Sequence, residues 1–387
     1  MLYNFDICPD RRTTESDKWG KYPADVLPLW VADMDFVSPE PVRQALLERV
    51  QHGVYGYGRD LPELRELIVA RMSERYRWQI LPEDILFIPG VIRGFNLACQ
   101  TLAEPDGCVF VQTPIYPPVL VAPRHAGLKR QETELKLAMD GCYEIDWQAF
   151  EAALTPETRL FILCNPHNPV GRVFRREELA RMAEICLRCG ITVCSDEIHA
   201  DLLYSGQTHI PIASLDPDVA RNTITLMAPS KTFNIAGLDC SFAIIQNPEL
   251  RKRYQHATRG LVSGINILGW TAAIAAYRGG QEWLTQVLAY LEANRDYLFD
   301  FVQKELLGIK MTKPEATYLA WLDCRATGLD DPYGFFLQKA RVALNDGKTF
   351  GHGGKGFVRL NFACSRATLV EALGRIKTAL LQKESAA

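Results

Sequence analysis

The sequence predicts an α/β protein with a mostly parallel sheet, followed by a smaller α+β region. Short apolar runs alternate with amphipathic stretches through the middle of the chain, a rhythm typical of strands connected by helices. Several runs show little polar alternation, as expected of strands buried on both faces. The apolar runs are residues 85–88, 108–111, 160–164, 191–194, 223–227 and 242–245.

Helical patterns lie between several of these runs. Apolar residues recur at helical spacing in residues 94–102, 116–126 and 176–188. A strand–helix–strand order of this kind favours parallel strands joined by helical crossovers.

The last part of the chain has a different character. Residues 282–306 predict a long helix, residues 316–323 and 356–363 alternate like strands, and residues 366–382 predict a closing helix. We therefore predict a large domain of residues 45–280. Residues 1–44 and 281–387 would form the small domain, with the irregular segment 1–37 packed on it.

Length and charge limit the possible partners. A chain of 387 residues is long enough for about two domains. Its 43 basic and 46 acidic residues give a net charge of −3, without the basic excess that nucleic acid or an anionic membrane would attract. No apolar run reaches the roughly 18 residues that cross a bilayer, and residues 1–12 lack the form of a signal peptide. We expect a cytoplasmic protein that binds neither nucleic acid nor membrane.

The cysteine pattern suggests reduced thiols. Eleven cysteines are spread along a chain without a secretion signal. Cys186 and Cys189 form a CxxC pair, but they lie in a helical pattern, and no second CxxC or histidine pair completes four ligands. We predict two thiols on one helix and no metal site.

Chemically useful groups follow five consecutive apolar runs. Ligands of open parallel sheets bind beyond the carboxyl ends of the strands. Each group alone has a structural explanation as a helix cap, a turn or a loop residue. Together, at one edge of a sheet, they favour a binding site. The groups are a helix start at Val91 and Ile92, an aromatic ring at Tyr116, an amide at Asn168, a carboxylate at Asp196 and an amine at Lys231.

Pyridoxal 5′-phosphate (PLP) needs these residue types. A lysine amine forms a Schiff base with its aldehyde, and a carboxylate keeps its pyridine nitrogen protonated so that the ring accepts electrons. Backbone N–H groups at a helix start bind phosphate, an aromatic face stacks on the ring, and an amide donates to the phenolate oxygen. The sequence therefore predicts a PLP enzyme acting on amino acids, with the cofactor held by Lys231.

Six motifs give the chain a family resemblance that covers nearly its whole length. The chain resembles the class I/II aminotransferase superfamily, the fold type I PLP enzymes, and within it the MalY/PatB group of cystathionine β-lyases, or C–S lyases. This resemblance implies a large domain with a seven-stranded, mostly parallel sheet. The motifs are LWVADMDF at 29–36, HGVYGY at 52–57, SDEIH at 195–199, SKTFNIAGL at 230–238, YLAWLD at 318–323 and GFVRLN at 356–361.

The resemblance also implies cofactor-binding roles. Lys231 matches the Schiff-base lysine, and Asp196 matches the partner of the pyridine nitrogen. Asn168 matches the donor to the phenolate oxygen, and Tyr116 matches the stacked aromatic ring. The phosphate would be bound by the backbone of Val91 and Ile92, with Ser230 beside them. His199 is placed at the cofactor as well.

Substrate binding and assembly follow from the same resemblance. Arg359 matches the arginine that grips the substrate α-carboxylate, a role suited to its planar guanidinium. Ala32 and Tyr116 would also contact the substrate. Tyr57 matches a tyrosine that reaches the phosphate of the neighbouring subunit, which implies a homodimer with shared active sites.

Two positions depart from the general aminotransferase pattern. Many members have an arginine eight residues after the lysine, where this chain has Asp239, and a tyrosine three residues after the aspartate, where it has His199. Both departures resemble the C–S lyase group. Asp239 leaves one phosphate charge without its usual partner, so phosphate binding should depend more on Ser230, Tyr57 and the helix start.

The function expected from the resemblance is β-elimination. Such an enzyme releases a thiol, pyruvate and ammonia from a sulfur amino acid, here L-cystathionine or a related cysteine S-conjugate. One alternative is an aminotransferase of the same fold, which shares the early chemistry, so residue spacing does not separate the two. Another alternative is a PLP-fold protein whose role is to bind a regulatory protein partner.

Overall fold

The computed structural model of the chain describes residues 2–138 and 141–386. Residues 1 and 387 of the predicted small domain and residues 139–140 of the predicted large domain lie outside these ranges. The α-helices are α1 (Asp17–Gly20), α2 (Glu40–Gln51), α3 (Pro62–Tyr76), α4 (Val91–Thr101), α5 (Pro117–His125), α6 (Trp147–Ala152), α7 (Arg176–Arg188), α8 (Pro217–Arg221), α9 (Pro229–Thr232), α10 (Pro248–Thr258), α11 (Ile267–Gly279), α12 (Gln281–Glu305), α13 (Pro332–Phe335) and α14 (Arg366–Ala386).

Four sheets are formed in the described ranges. The strands are β1 (Leu27–Pro28), β2 (Ile85–Ile88), β3 (Cys108–Thr113), β4 (Lys129–Glu134), β5 (Lys136–Leu137), β6 (Tyr143–Glu144), β7 (Thr158–Cys164), β8 (Thr192–Asp196), β9 (Thr223–Met227), β10 (Ser241–Ile244), β11 (Lys310–Met311), β12 (Leu319–Asp323), β13 (Val342–Ala343), β14 (Asn345–Asp346) and β15 (Phe357–Asn361). The two larger sheets position the candidate site.

The main sheet has seven strands in the order β2-β10-β9-β8-β7-β3-β4. Strand β10 runs antiparallel to both of its neighbours, and the other pairs are parallel. Strands β3 and β9 are buried along their whole length, because helices cover the sheet. The predicted α/β fold with a mostly parallel seven-stranded sheet is confirmed.

The second sheet lies in the C-terminal part of the chain, where the strand order is β11-β12-β15-β14 and every pair is antiparallel. Its core includes Trp283 of α12 and Leu373 of α14, and it takes in Phe5 and Phe36 from the N-terminal segment. Residues of the N-terminal segment thus contribute to this core. The same core also includes Phe233 from the region after β9, and the domain boundaries at residues 45 and 280 remain a prediction.

One buried and two partly exposed ion pairs hold the N-terminal segment in place. Lys18 Nζ lies 2.9 Å from Asp35 Oδ2, and both side chains are buried. Arg11 pairs with Asp33 at 2.6 Å and with Asp35 at 2.9 Å. Asn361 at the end of β15 donates to the carbonyl of Asp33 at 2.7 Å. These contacts fix the loop around Asp33 next to the carboxyl ends of the main strands.

The CxxC pair lies at the end of α7. Cys186 is buried on that helix, and Cys189 is the exposed residue after its last turn. Within residues 2–138 and 141–386, no cluster of three or more His, Cys, Asp or Glu side chains is arranged to hold a metal ion. None of the helices in the same ranges is long and apolar enough to cross a membrane.

Candidate active site

One cavity lies at the carboxyl edge of the main sheet. Its empty volume, counting the space open to solvent at its mouth, is about 850 Å³. Its lining brings together the groups predicted from successive strand ends. The predicted residues that line it are Ala32, Val91, Ile92, Tyr116, Asn168, Asp196, His199, Ser230 and Lys231.

The start of α4 forms one wall of this cavity. Gly90 precedes the helix with a φ of +108°, a conformation that a residue with a side chain adopts only under strain. No side chain caps the helix, and its first backbone bond is Gly94 N–H to the Gly90 carbonyl at 3.2 Å. The amides of Val91 and Ile92 therefore have no intrahelical acceptor and are available to an anion.

Lys231 lies on the short helix α9, directly after β9. Its Nζ donates to the carbonyl oxygen of Ala32 at 2.6 Å, and Tyr318 donates to the same oxygen at 2.9 Å. Burial lowers the pKa of Lys231 to about 8, opposed by the nearby carboxylate of Asp33. An amine with this pKa is partly unprotonated near neutral pH, as a proton-transferring group needs to be. The predicted substrate contact of Ala32 remains a prediction.

Asp196 ends β8 and is almost completely buried. Burial raises the pKa of Asp196 to about 7, although the Ile198 amide donates to its Oδ1 at 3.1 Å. No lysine, arginine or histidine side chain forms an ion pair with it in the described part of the chain. A protonated pyridine nitrogen would supply the missing positive partner. The carboxylate, the amine and the helix start thus fit PLP.

A buried pair behind Asp196 fixes the end of β8. Glu197 accepts a hydrogen bond from Ser195 Oγ at 2.9 Å, and its other carboxylate oxygen lies 2.7 Å from His209 Nε2. The side chains of Glu197 and His209 are fully buried. Fixed neighbours of this kind restrict the orientation of the strand end that carries Asp196.

The raised pKa of Asp196 gives a pH-dependent stability prediction for the cofactor-free protein. A carboxyl group whose pKa is about 7 folded and about 4 unfolded binds its proton more tightly in the folded state. Its stabilising contribution is complete below pH 4 and is lost as the pH rises through 7. Asp196→Asn should therefore gain stability relative to wild type between pH 5 and pH 8, by up to about 3 kcal/mol.

Urea unfolding of the two cofactor-free proteins at both pH values measures this difference. The control is Asp330→Asn, which changes an exposed carboxylate and should show the same difference from wild type at pH 5 and pH 8. An Asp196→Asn difference that is constant or shrinks toward pH 8 would contradict the prediction.

Arg359 does not line the cavity itself but contacts Asn168, which does. Arg359, on β15, is buried and donates from Nη1 to Asn168 Oδ1 at 3.0 Å. Its Nη2 donates to Asn345 Oδ1 at 2.6 Å and to the Trp30 carbonyl at 3.0 Å. The contact with Arg359 engages the oxygen of the Asn168 amide, so the NH₂ group is left to donate to a ligand.

The charge of Arg359 has no carboxylate partner in the described part of the chain. Burial lowers the pKa of Arg359 to about 10, so the guanidinium stays positive at neutral pH. Its Nε is buried without a hydrogen-bond partner. A buried cation and an unpaired donor are costly unless a ligand supplies an acceptor, and a substrate carboxylate would do so.

His199 and Tyr116 complete the interior of the cavity. Burial lowers the pKa of His199 to about 3, helped by the positive charges of Lys231 and Arg359, so its imidazole is neutral. His199 Nδ1 is buried without a partner. Burial also raises the pKa of Tyr116, which keeps its phenol protonated. Both side chains can therefore act as neutral hydrogen-bonding or stacking groups.

Tyr57 is the one predicted cofactor-binding residue outside this cavity. Its side chain is fully exposed, on the segment between α2 and α3. Several other residues also contribute to the site. Tyr318 carried a signal, since it opens the YLAWLD motif, whereas Asn345, Glu197 and His209 act through contacts across the fold that no local pattern reveals.

Comparisons with known proteins find relatives over nearly the whole chain. A family model of class I and II aminotransferases matches residues 24–376. Cystathionine β-lyase PatB of Bacillus subtilis (strain 168) is 43% identical over 97% of this chain and 100% of its own length. The solved PLP-bound C–S lyase from Staphylococcus hominis is 36% identical, with a TM-score of 0.93 over 98% of this chain and 99% of that one. Aspartate aminotransferase of Pyrococcus horikoshii is more distant, at 26% identity over 92% of this chain and 91% of its own length.

The chain belongs to the class I and II aminotransferase family. Its fold, the cavity at the carboxyl edge of the sheet and the family match agree on this class. Within the family it belongs to the MalY/PatB group of cystathionine β-lyases, as the sequence resemblance predicts. Its likeness to the aspartate aminotransferase is weaker, which disfavours the aminotransferase alternative.

Proposed function

We propose that this chain is a PLP-dependent carbon–sulfur β-lyase that releases a thiol, pyruvate and ammonia from L-cystathionine or related cysteine S-conjugates. The observation that carries the proposal is the meeting of Lys231, Asp196 and the uncapped start of α4 in one cavity. Membership of the cystathionine β-lyase group selects this reaction among those the same site could support.

Each part of the cofactor has a matching group in the cavity. The amides of Val91 and Ile92, with Ser230, would hold the phosphate, and Asp196 would hold the pyridine nitrogen in its protonated form. Asn168 would donate to the phenolate oxygen. When bound, PLP provides an electron sink for the pair left at Cα of the substrate.

Lys231 moves the proton in this reaction. Its amine, with a pKa of about 8, accepts the proton from the substrate Cα, and the same amine returns a proton to the departing sulfur. The Ala32 carbonyl, 2.6 Å from Nζ, holds the amine at the cavity wall. Arg359 binds the α-carboxylate and so orients the substrate for proton removal.

The overall reaction balances with one water molecule. The Cα–H and Cβ–S bonds of L-cystathionine break, the sulfur leaves as the thiol of homocysteine, and water replaces nitrogen on the remaining three-carbon unit. That unit becomes pyruvate, and the nitrogen leaves as ammonia. No keto acid is consumed, which separates this reaction from transamination.

Product analysis tests the proposed reaction. The PLP-loaded protein should form pyruvate and homocysteine in equal amounts from L-cystathionine without added keto acid. In a parallel reaction with 2-oxoglutarate and the same substrate, little glutamate should accumulate. Efficient formation of glutamate without pyruvate would overturn the lyase assignment and establish the aminotransferase alternative.

We further propose that the protein is a homodimer with shared active sites. The segment that carries Tyr57 exposes several apolar side chains, with Val54 60% and Tyr55 57% exposed. Exposed apolar patches of this kind often mark interfaces, and two-fold dimers are the commonest oligomers. Docking of this segment on a second copy would cover the patch and bring Tyr57 to the partner's phosphate site.

Mixed dimers test this arrangement. Lys231→Ala and Tyr57→Phe subunits should each have low activity, because one lacks the amine and the other lacks a phosphate contact. A hybrid dimer should regain activity in the site that combines an intact Lys231 with an intact Tyr57 from the other subunit. Refolding the variants together and assaying pyruvate measures this gain, and no gain in verified hybrid dimers would contradict shared sites.

We also propose that the protein is cytoplasmic. Buried thiols such as Cys99, Cys194 and Cys364 form no disulfide in the described part of the chain. Burial raises the pKa of each of these thiols, which keeps them protonated and unreactive. Unpaired structural thiols are usual in a reducing compartment.

A further inference from the structure

An ion pair that the proposed reaction leaves unused lies at the phosphate end of the cavity. Arg93 and Asp239 both line the cavity, with Arg93 Nη1 3.7 Å from Asp239 Oδ2. Arg93 Nη1 also contacts the Pro89 carbonyl. A Cβ placed on Gly90 would lie 3.3 Å from Arg93 Nη1 and 3.7 Å from Asp239 Oδ1. Both charged groups therefore lie beside the Gly90 backbone, immediately before the helix start at Val91.

The side chains around this helix start provide too little positive charge for a phosphate dianion. Many family members have an arginine at the position of Asp239. The carboxylate of Asp239 would instead repel the phosphate. Lys231 is already held at the Ala32 carbonyl at 2.6 Å. Arg93 is the only guanidinium among the residues described as lining the cavity. Its planar fork matches the geometry of phosphate oxygens.

The Arg93–Asp239 pair can exchange partners easily. The two side chains are 53% and 50% exposed, and their separation of 3.7 Å is longer than a hydrogen bond. Exposed pairs of this kind contribute little to stability. A phosphate dianion carries more charge than one carboxylate and would compete well for the guanidinium.

We propose that Arg93 binds the phosphate group of the cofactor in place of the arginine missing at position 239. Asp239 pairs with the Arg93 guanidinium beside Gly90 until the phosphate enters. The guanidinium then leaves Asp239 and pairs with the phosphate. The inference rests on PLP being the cofactor. It does not depend on which reaction the loaded protein catalyses.

Cofactor binding by the stripped protein tests the proposal without any turnover. PLP and pyridoxal, which lacks the phosphate, are titrated separately, and Kd is read from the change in absorbance. Arg93→Met should raise the Kd for PLP by about tenfold or more and leave the Kd for pyridoxal within about twofold of wild type. Arg93→Lys, which keeps the charge without the fork, should lie between wild type and Arg93→Met.

Asp239→Asn gives a test in the opposite direction. It should lower the Kd for PLP, because the competing carboxylate is gone, and asparagine tolerates the φ of +49° at this position. Arg124→Met, at an exposed arginine of α5, is the matched control and should bind both ligands like wild type. Unfolding midpoints of the stripped variants report whether each is folded.

Three results would overturn the proposal. The first is an Arg93→Met protein whose Kd for PLP stays within about twofold of wild type. The second is an equal loss of affinity for PLP and pyridoxal, which would indicate a general disturbance of the cavity. The third is weaker PLP binding in Asp239→Asn. A failure of the lyase assay would leave these affinities unchanged, so the two proposals fail separately.

Discussion

Replacing Lys231 with alanine is expected to reduce pyruvate formation from L-cystathionine by about 10³-fold or more. Acid–base catalysis by one side chain contributes roughly 10²–10⁴-fold, and here the same amine also attaches the cofactor. The structure provides no substitute in the described part of the chain, because Lys231 is the only lysine that lines the cavity. Initial rates with saturating PLP measure the effect.

Lys252→Ala is the matched control for this prediction. Lys252 is exposed on α10, away from the cavity, and its loss should leave the rate near that of wild type. A Lys231→Ala protein that keeps roughly a tenth of the wild-type rate would contradict the role given to this amine.

Replacing Arg359 with alanine is expected to lower kcat/KM for L-cystathionine by about 10²–10³-fold, mainly through KM. Charge-assisted hydrogen bonds contribute about 1.5–3 kcal/mol each, and the substrate carboxylate would lose a fork of two. The visible spectrum of the bound cofactor should change little, because in the described part of the chain Arg359 is hydrogen-bonded to one predicted cofactor-binding residue, Asn168, and does not line the cavity. Steady-state kinetics and an absorbance scan of each protein measure both quantities.

Arg325→Ala separates this effect from a general loss of positive charge. Arg325 is more than half exposed and pairs with Asp323, away from the cavity lining. Its removal should leave KM near that of wild type. If Arg359→Ala keeps the wild-type KM, the α-carboxylate is bound elsewhere.

The main sheet could be predicted from the sequence because buried parallel strands leave continuous apolar runs. Strand β9 begins and ends where the apolar run predicts, at Thr223 and Met227. Helix α7 likewise matches its pattern, because Leu179, Met182 and Cys186 form a buried face at helical spacing. The candidate site followed from the same strands, since parallel strands bring their carboxyl ends to one edge.

Other parts of the fold left no such signal. Strand β4, Lys129–Glu134, was missed because it lies at the sheet edge and carries charged residues, which protect an exposed edge from pairing. The antiparallel direction of β10 was missed because an apolar run does not encode its direction. The start of α4 at Val91 agrees with the helix start predicted at Val91 and Ile92, although the helical apolar pattern was recognised only from residue 94.

Several contacts in the site could not be predicted from the types of residue in the sequence. The contact between Lys231 and Ala32 is made by a backbone carbonyl, so the alanine side chain gave no hint of it. Asn345 reaches Arg359 from a neighbouring strand of the second sheet, and that pairing becomes visible only in the folded register. The position of Arg93 beside Asp239 joins residues that are far apart in sequence.

Chemical trapping of the cofactor tests the central claim most directly. Borohydride reduction of the PLP-loaded protein, followed by proteolysis and mass spectrometry, should locate a single pyridoxyl group on Lys231. The Lys231→Ala protein, treated in the same way, should carry no label at this peptide. A pyridoxyl group on another lysine of the wild-type protein, or no label after loading with PLP, would contradict the placement of the cofactor at the carboxyl edge of the main sheet.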